Sequence, residues 1–285
     1  MNEPSPHVTY LAKDGRAYIT LDRPGKRNAL TRHMIETLLA HVTAAEQDDD
    51  VRVIVLRSSG DDFCVGHDLA EIDSEYGFEA GGRRPSQRAR LHVDRRHLEE
   101  FRRLFYCMKP TLALVRGHCV GAGTHLLETT DLAIASDKAK IGHPEQKMGL
   151  AGAAYMTAWN ILAAGPKKAR ELLLIAEQLT PEAAVTMGLV NKVVPDAQLE
   201  EAGEDWAERI ARLPRDAIAI GKAATHMALD SLGMASQFNQ GYVMHALGTN
   251  IRYEPDETNA LKERATRGVK AAVHDREAGR RAKPQ

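Results

Sequence analysis

Between positions 117 and 128 the chain gathers groups suited to handling a developing negative charge and a mobile proton. The run GHCVGAGTH (117–125) holds three glycines and an alanine, and His125 arrives as the apolar pattern LLETTDLAIA begins. Small residues let backbone approach a ligand, and amides at the start of a helix favour an anion or an oxygen that becomes anionic. The plainer role of such a run is a tight turn packed on a helix. An imidazole that titrates near neutrality and a carboxylate are the usual agents of proton transfer. Glu128 follows His125 by three positions, on a similar helical face. There it could orient the ring, supply a second carboxylate, or pair on the surface.

Several chemistries are excluded or weakened. The glycine spacing is G-x-x-x-G-x-G and not the dinucleotide G-x-G-x-x-G, and several β runs precede it. G-x-x-x-x-G-K-[ST] and G-x-S-x-G are absent, which removes a P-loop and weakens a serine hydrolase. His67, His118 and His143 stand in the same loops. No H-x-x-x-H or C-x-x-C spacing accompanies them, so no metal is expected. Cys64, Cys107 and Cys119 form no pair of that kind and fit a reduced, cytoplasmic protein. The N-terminus lacks a basic start followed by an apolar run, and no apolar stretch approaches the ~20 residues of a membrane span. The 38 basic and 39 acidic residues leave a net charge of -1, so neither nucleic acid nor a membrane surface is an expected partner. An anionic ligand needs a local basic patch.

The elements that must position these groups read as α/β. HVTYLAKDGRAYITLD predicts a hairpin about Asp14-Gly15. Thr31 caps a predicted helix over HMIETLLAHVTAAEQ. VRVIVLRSS and TLALVRG are continuous apolar runs, as in strands buried on both faces. DDFCVGHDLAEI is a loop entering a helix, in which Asp68 caps or pairs. Residues 74–90 read as a polar lid, followed by a helix over 91–108, and DLAIASDKAKIG as short strands with a turn. From about residue 153 the pattern is mostly helical. With 285 residues, one main domain plus an appendage is expected.

Four segments carry a resemblance: ITLDRPGKRNAL (19–30), RVIVLRSSGDDFCVGHDLAEI (52–72), KPTLALVRGHCVGAGTHLLETTDLAIASDKAKIGHPE (109–145) and LTPEAAVTMGLVNKVVP (179–195). In that order they resemble the crotonase, or enoyl-CoA hydratase/isomerase, superfamily. The resemblance implies a crotonase-like spiral of ββα units over 1–195, for acyl-CoA binding and catalysis. It also implies a C-terminal helical trimerisation region over 196–285, giving a homotrimer or a dimer of trimers. It implies an acyl-CoA substrate and no separate cofactor. By position it assigns the thioester oxygen to the N–H groups of His67 and Ala122, with Gly121 admitting the backbone. It assigns proton transfer to Glu145, phosphate contacts to Lys26 and Arg27, and the coenzyme A cradle to Val65 and Leu69, with His67 in the same loop. Asp131 matches a structural aspartate. Lys26 and Arg27 are equally ordinary surface charges.

Two departures matter. Where family hydratases place a first catalytic glutamate, this chain has His125, paired with Glu145 as the second catalytic residue or simply lining the pocket. The segment GLAGAAYM (149–156) lacks a family proline, leaving Tyr155 or Met156 to shape the acyl pocket. Hydration of a 2-enoyl-CoA, a double-bond shift, a His-assisted C–C cleavage, and acyl-CoA binding without catalysis all stay open.

Overall fold

In the computed structural model the described residues are 7–71, 75, 85–151, 155–248, 251, 253, 254 and 257. The expected helix after Asp68 and most of the 74–90 lid fall largely outside them. Strands β1 (Val8–Lys13) and β2 (Arg16–Leu21) form the predicted hairpin, with Asp14 and Gly15 both at positive φ as a tight two-residue turn requires. Helix α1 (Arg32–Gln47) starts where Thr31 accepts a hydrogen bond from the Met34 amide at 3.2 Å. Strands β3 (Val53–Ser58) and β4 (Thr111–Val115) join β2 in parallel. Both were expected to be buried on two faces, and every residue of β4 is buried.

Helix α2 (Gln87–Phe105) begins four residues earlier than its apolar pattern indicates. Ser86 caps it by accepting from the Ala89 amide, so 87–90 are helix and not lid. Next come β5 (His118–Val120), α3 (Ala122–Glu128), β6 (Leu132–Ser136) and β7 (Lys140–Gly142). The six-stranded sheet runs β1-β2-β3-β4-β6-β8, with β8 spanning Lys192–Val194. The two strands read from DLAIASDKAKIG separate: β6 joins the large sheet and β7 pairs in parallel with β5. This alternation of strands between two sheets gives the spiral its turn.

Helix α4 (Thr157–Ile175) is broken at Gly165, whose φ of 76° precedes Pro166. Helix α5 (Pro181–Thr186) is capped by Thr180. Helices α6 (Leu199–Ala211), α7 (Arg215–Ser231) and α8 (Met234–Gly248) complete the described chain. One core lies between the sheets and helices α1–α4 and includes Ile19, Leu21, Met34, Leu38, Phe63 and Leu98. A second lies under α6, where Leu199 and Ala207 meet Val53, Val55, Leu112 and Ile134. Burying each large side chain contributes about 1.5–3 kcal/mol. These cores hold the ends of β5, β7 and α3 in place, and the chemistry gathers there. Asp131 has the structural role expected of it: Oδ2 accepts from Thr111 N at 2.7 Å and Lys222 Nζ at 2.6 Å.

Candidate active site

Two loops converge at the start of α3. Cys64 bridges Cys119 in parallel fashion, its amide donating to His118 O at 2.9 Å and its carbonyl accepting from Val120 N at 3.0 Å. On the other side, the Leu30 amide donates to Gly66 O and the Asp68 amide to Leu30 O, both at 2.8 Å. That parallel pattern uses the atoms flanking His67 and turns the His67 amide away from Leu30. A Cβ built on Gly66 would stand 3.4 Å from the Ala122 nitrogen, so the two loops touch where Ala122 opens α3. Among the described residues, neither the His67 nor the Ala122 amide donates to a protein acceptor. The start of α3 is fixed from behind: the Gly121 amide donates to Gly142 O at 3.1 Å, and Thr124 Oγ1 donates to Cys119 O at 2.7 Å and to Gly142 O at 2.8 Å.

Gly121 has φ 58°, a conformation L side chains rarely adopt. A Cβ there would lie 3.2 Å from Glu145 Oε1, so the glycine also makes room for that carboxylate. Glu145 projects from a single 3₁₀ turn, Pro144–Met148, that follows β7. Its carboxylate therefore sits against the Gly121–Ala122 turn.

His125, Glu128, His143 and Glu145 form one buried chain of contacts. Glu128 Oε2 accepts from His125 Nδ1 at 3.1 Å, and Oε1 accepts from His143 Nε2 at 2.9 Å. The side chains of Glu128 and His143 are both fully buried. His143 Nδ1 faces Glu145 Oε1 at 3.8 Å. Burial opposes the Glu128 charge, but His143 and then His125 outweigh it and hold the carboxyl at about 2. Burial likewise opposes a charged His143, yet Glu128 raises it to about 10. Burial lowers His125 more than Glu128 raises it, so that ring is neutral near neutral pH. Burial would raise Glu145, but His143 outweighs this and keeps it ionised. The resulting set is imidazolium His143, carboxylates Glu128 and Glu145, and neutral His125.

The close buried ion pair of the site is between Glu128 and His143, at 2.9 Å. The signal for this was present: Glu128 stands one turn after His125, and His143 two residues before Glu145. Both sit on elements whose approach depends on β5 pairing with β7. Phe101 of α2 meets the His125 ring edge-on at 5.3 Å, and buried Tyr155 does so at 5.7 Å, so Tyr155 lines the site as one of the two candidates for that place. Sequence reasoning also missed a second buried polar group next door. His67 stacks on His97, whose Nε2 lies 2.6 Å from Glu75 Oε1, and His245 stacks on Tyr155 and pairs with Asp94 at 2.7 Å.

The basic residues are less concentrated. Arg27 is half exposed and engaged, Nε donating to Asp62 Oδ2 at 2.7 Å, and it also contacts His118. Lys26 is exposed and forms no ion pair among the described residues. Val65 is half-buried, and its amide reaches Arg27 O at 3.3 Å, which joins the Val65 loop to the basic turn. Leu69 is half-buried in the same loop.

A two-sheet spiral carrying a glutamate beside a glycine-rich helix start is the architecture of a crotonase-type enzyme. The chain belongs to the enoyl-CoA hydratase/isomerase family, whose model matches residues 12–250, and it is a lyase or isomerase of that family. It is 31% identical to the Mycobacterium tuberculosis protein EchA13 over 92% of this chain and 89% of that one. It is 32% identical to human mitochondrial enoyl-CoA hydratase domain-containing protein 3, over 82% and 74%. Its fold superposes on an enoyl-CoA hydratase/isomerase from Xanthobacter autotrophicus with a TM-score of 0.85, at 28% identity, covering 97% of this chain and 99% of that one. No helix among the described residues is long and apolar enough to cross a membrane.

Proposed function

We propose that the protein acts on a 2-enoyl-CoA thioester as a hydratase, through an enolate held by the His67 and Ala122 amides with Glu145 as the proton-transfer group. The observation that carries this reading is the Glu145 carboxylate seated against the Gly121–Ala122 turn, beside two amides that bond to no described protein group. When water adds to Cβ, electron density moves through Cα to the thioester oxygen. Two fixed donors aimed at that oxygen stabilise the charge as it forms, each by about 2.7–4 kcal/mol. Glu145 takes a proton from the attacking water and delivers one to Cα, so the carboxylate is regenerated. His125 donates through Nδ1 to ionised Glu128, which leaves Nε2 as an acceptor that holds the water. Lys26 meets the coenzyme A phosphates, Arg27 joins it at the cost of its pair with Asp62, and Val65 and Leu69 border the pantetheine arm.

Isomerisation is the second reading. It is favoured by one observation: His125 is neutral and tethered, which leaves Glu145 as the ionised base of the site. One base suffices to lift a proton from one carbon and return it to another. Self-association is part of the proposal. Ile220 and Met227 of α7 and Met244 and Leu247 of α8 are exposed at 70%, 70%, 61% and 59%, an apolar surface suited to contacts between copies.

Incubation with crotonyl-CoA, following loss of the enoyl absorbance, tests the reading. Hydration is expected, and Glu145→Gln should slow it by about 10²–10⁴. Binding of acyl-CoA without turnover of enoyl or hydroxyacyl thioesters would instead make the protein a non-catalytic binder.

A further inference from the structure

One ring nitrogen of His125, one of His143 and a carboxylate oxygen of Glu145 lie within 4.8 Å of one another. The two rings are 4.7 Å apart between centroids. Glu128 already occupies one nitrogen of each ring, Nδ1 of His125 and Nε2 of His143. The opposite nitrogens, Nε2 of His125 and Nδ1 of His143, make no hydrogen bond among the described residues. A carboxylate that accepts from the far nitrogen of an imidazole fixes the ring and raises its basicity, the usual support of a histidine metal ligand. Here one carboxylate supports two such rings.

We propose that His125, His143 and Glu145 form a binding site for a divalent transition-metal ion of the zinc class, with Glu128 as the carboxylate that orients both imidazoles. A second observation points to the same place. His143 Nδ1 and Glu145 Oε2 are buried and have no hydrogen-bond partner among the described residues. Such orphaned atoms are uncommon in a folded interior and mark a missing partner. Two nitrogens and one oxygen suit zinc, cobalt or nickel and do not suit magnesium or calcium, which prefer all-oxygen shells. Ligand distances near 2.0–2.2 Å require the three groups to close by only about 1 Å. The charge balance is also favourable: the ion is met by two carboxylates, Glu145 and, through the rings, Glu128. Entry is from the Glu145 side, where that side chain is 20% exposed. Binding itself does not depend on the acyl-CoA reading. Where that reading holds, the ion and the substrate proton compete for one carboxylate, and zinc switches turnover off.

The sequence pattern gives no hint of this site, because the ligands come from α3, the end of β7 and the 3₁₀ turn after it. Calorimetric titration of the EDTA-stripped full-length protein with zinc chloride tests it. One ion should bind per chain. Magnesium chloride should give no binding heat. His125→Gln and Glu145→Gln should each weaken zinc at least tenfold, and Glu128→Gln, which leaves the ligands in place, by about 10–100-fold. Cobalt should give a ligand-field spectrum in the native protein that both ligand variants lose. Absence of saturable zinc binding, or equal affinity in the native protein, His125→Gln and Glu145→Gln, overturns the proposal. A protein that binds zinc but turns over no enoyl-CoA would refute only the proposed activity, and the reverse result only the metal site.

Discussion

Glu128 Oε1 accepts from His143 Nε2 at 2.9 Å, and both side chains are wholly removed from solvent. Each holds the other charged against the cost of burial, and removing one partner strands the other.

Glu128→Gln should therefore destabilise the fold near neutral pH by about 3 kcal/mol, as expected for breaking a buried pair. The pH dependence has a definite sign. Glu128 titrates lower in the folded chain, at about 2, so its contribution is present above the ordinary carboxylate range and is lost as pH falls towards 2. His143 titrates higher, at about 10, so its contribution is complete below the ordinary histidine value and is lost as pH rises from there through 10. Urea unfolding from pH 5 to 10 should show the native protein losing more stability than the variant on the alkaline side. Parallel curves would mean that the pair does not form.

The Ala122 amide can be removed without removing a side chain. Ala122 is the first residue of α3, where proline is tolerated because its nitrogen has no helical partner. Ala122→Pro should fold, by circular dichroism, yet lower kcat by about 10²–10³, the usual effect of losing one oxyanion donor. Retained turnover would show that the thioester oxygen lies elsewhere.

Glu145→Gln keeps the size of the side chain and removes its charge. Loss of a positioned acid–base group typically costs about 10²–10⁴ in rate. Turnover should fall within that range while acyl-CoA affinity, measured by direct binding, stays near the native value. A selective loss of affinity would make Glu145 a binding group and leave proton transfer unassigned.

The fold and half of the site were legible in the sequence for physical reasons. The hairpin at Asp14-Gly15, the Thr31 cap and the apolar strands β3 and β4 follow from turn geometry, capping and burial acting over a few residues. The glycine run could be read because close backbone approach leaves a local trace, whereas Glu145 was reached through the resemblance carried by Gly142-His143-Pro144-Glu145. The Glu128–His143 pair could not, since it depends on three-residue strands β5 and β7 meeting, and β5 reads as loop. The start of α2 was missed because an arginine-rich first turn hides an apolar period, although Ser86 supplies the cap.

Lys26 is the exposed cation of the basic turn that carries no ion pair among the described residues, whereas Arg27 is held by Asp62. If it meets the coenzyme A phosphates, Lys26→Ala should raise KM for an acyl-CoA and leave kcat unchanged. An exposed ion pair contributes about 0.2–1 kcal/mol, so a rise of up to about fivefold is expected. Screening supplies an internal control. The Debye length falls from about 8 Å at 0.15 M salt to about 3 Å at 1 M, so the difference between native and variant should vanish at high salt. An acyl-pantetheine thioester, which lacks the phosphoadenosine end, should show no difference at either salt concentration. A salt-independent defect, or one that persists with the truncated thioester, would place Lys26 in the folding of the turn and not in recognition of the phosphates.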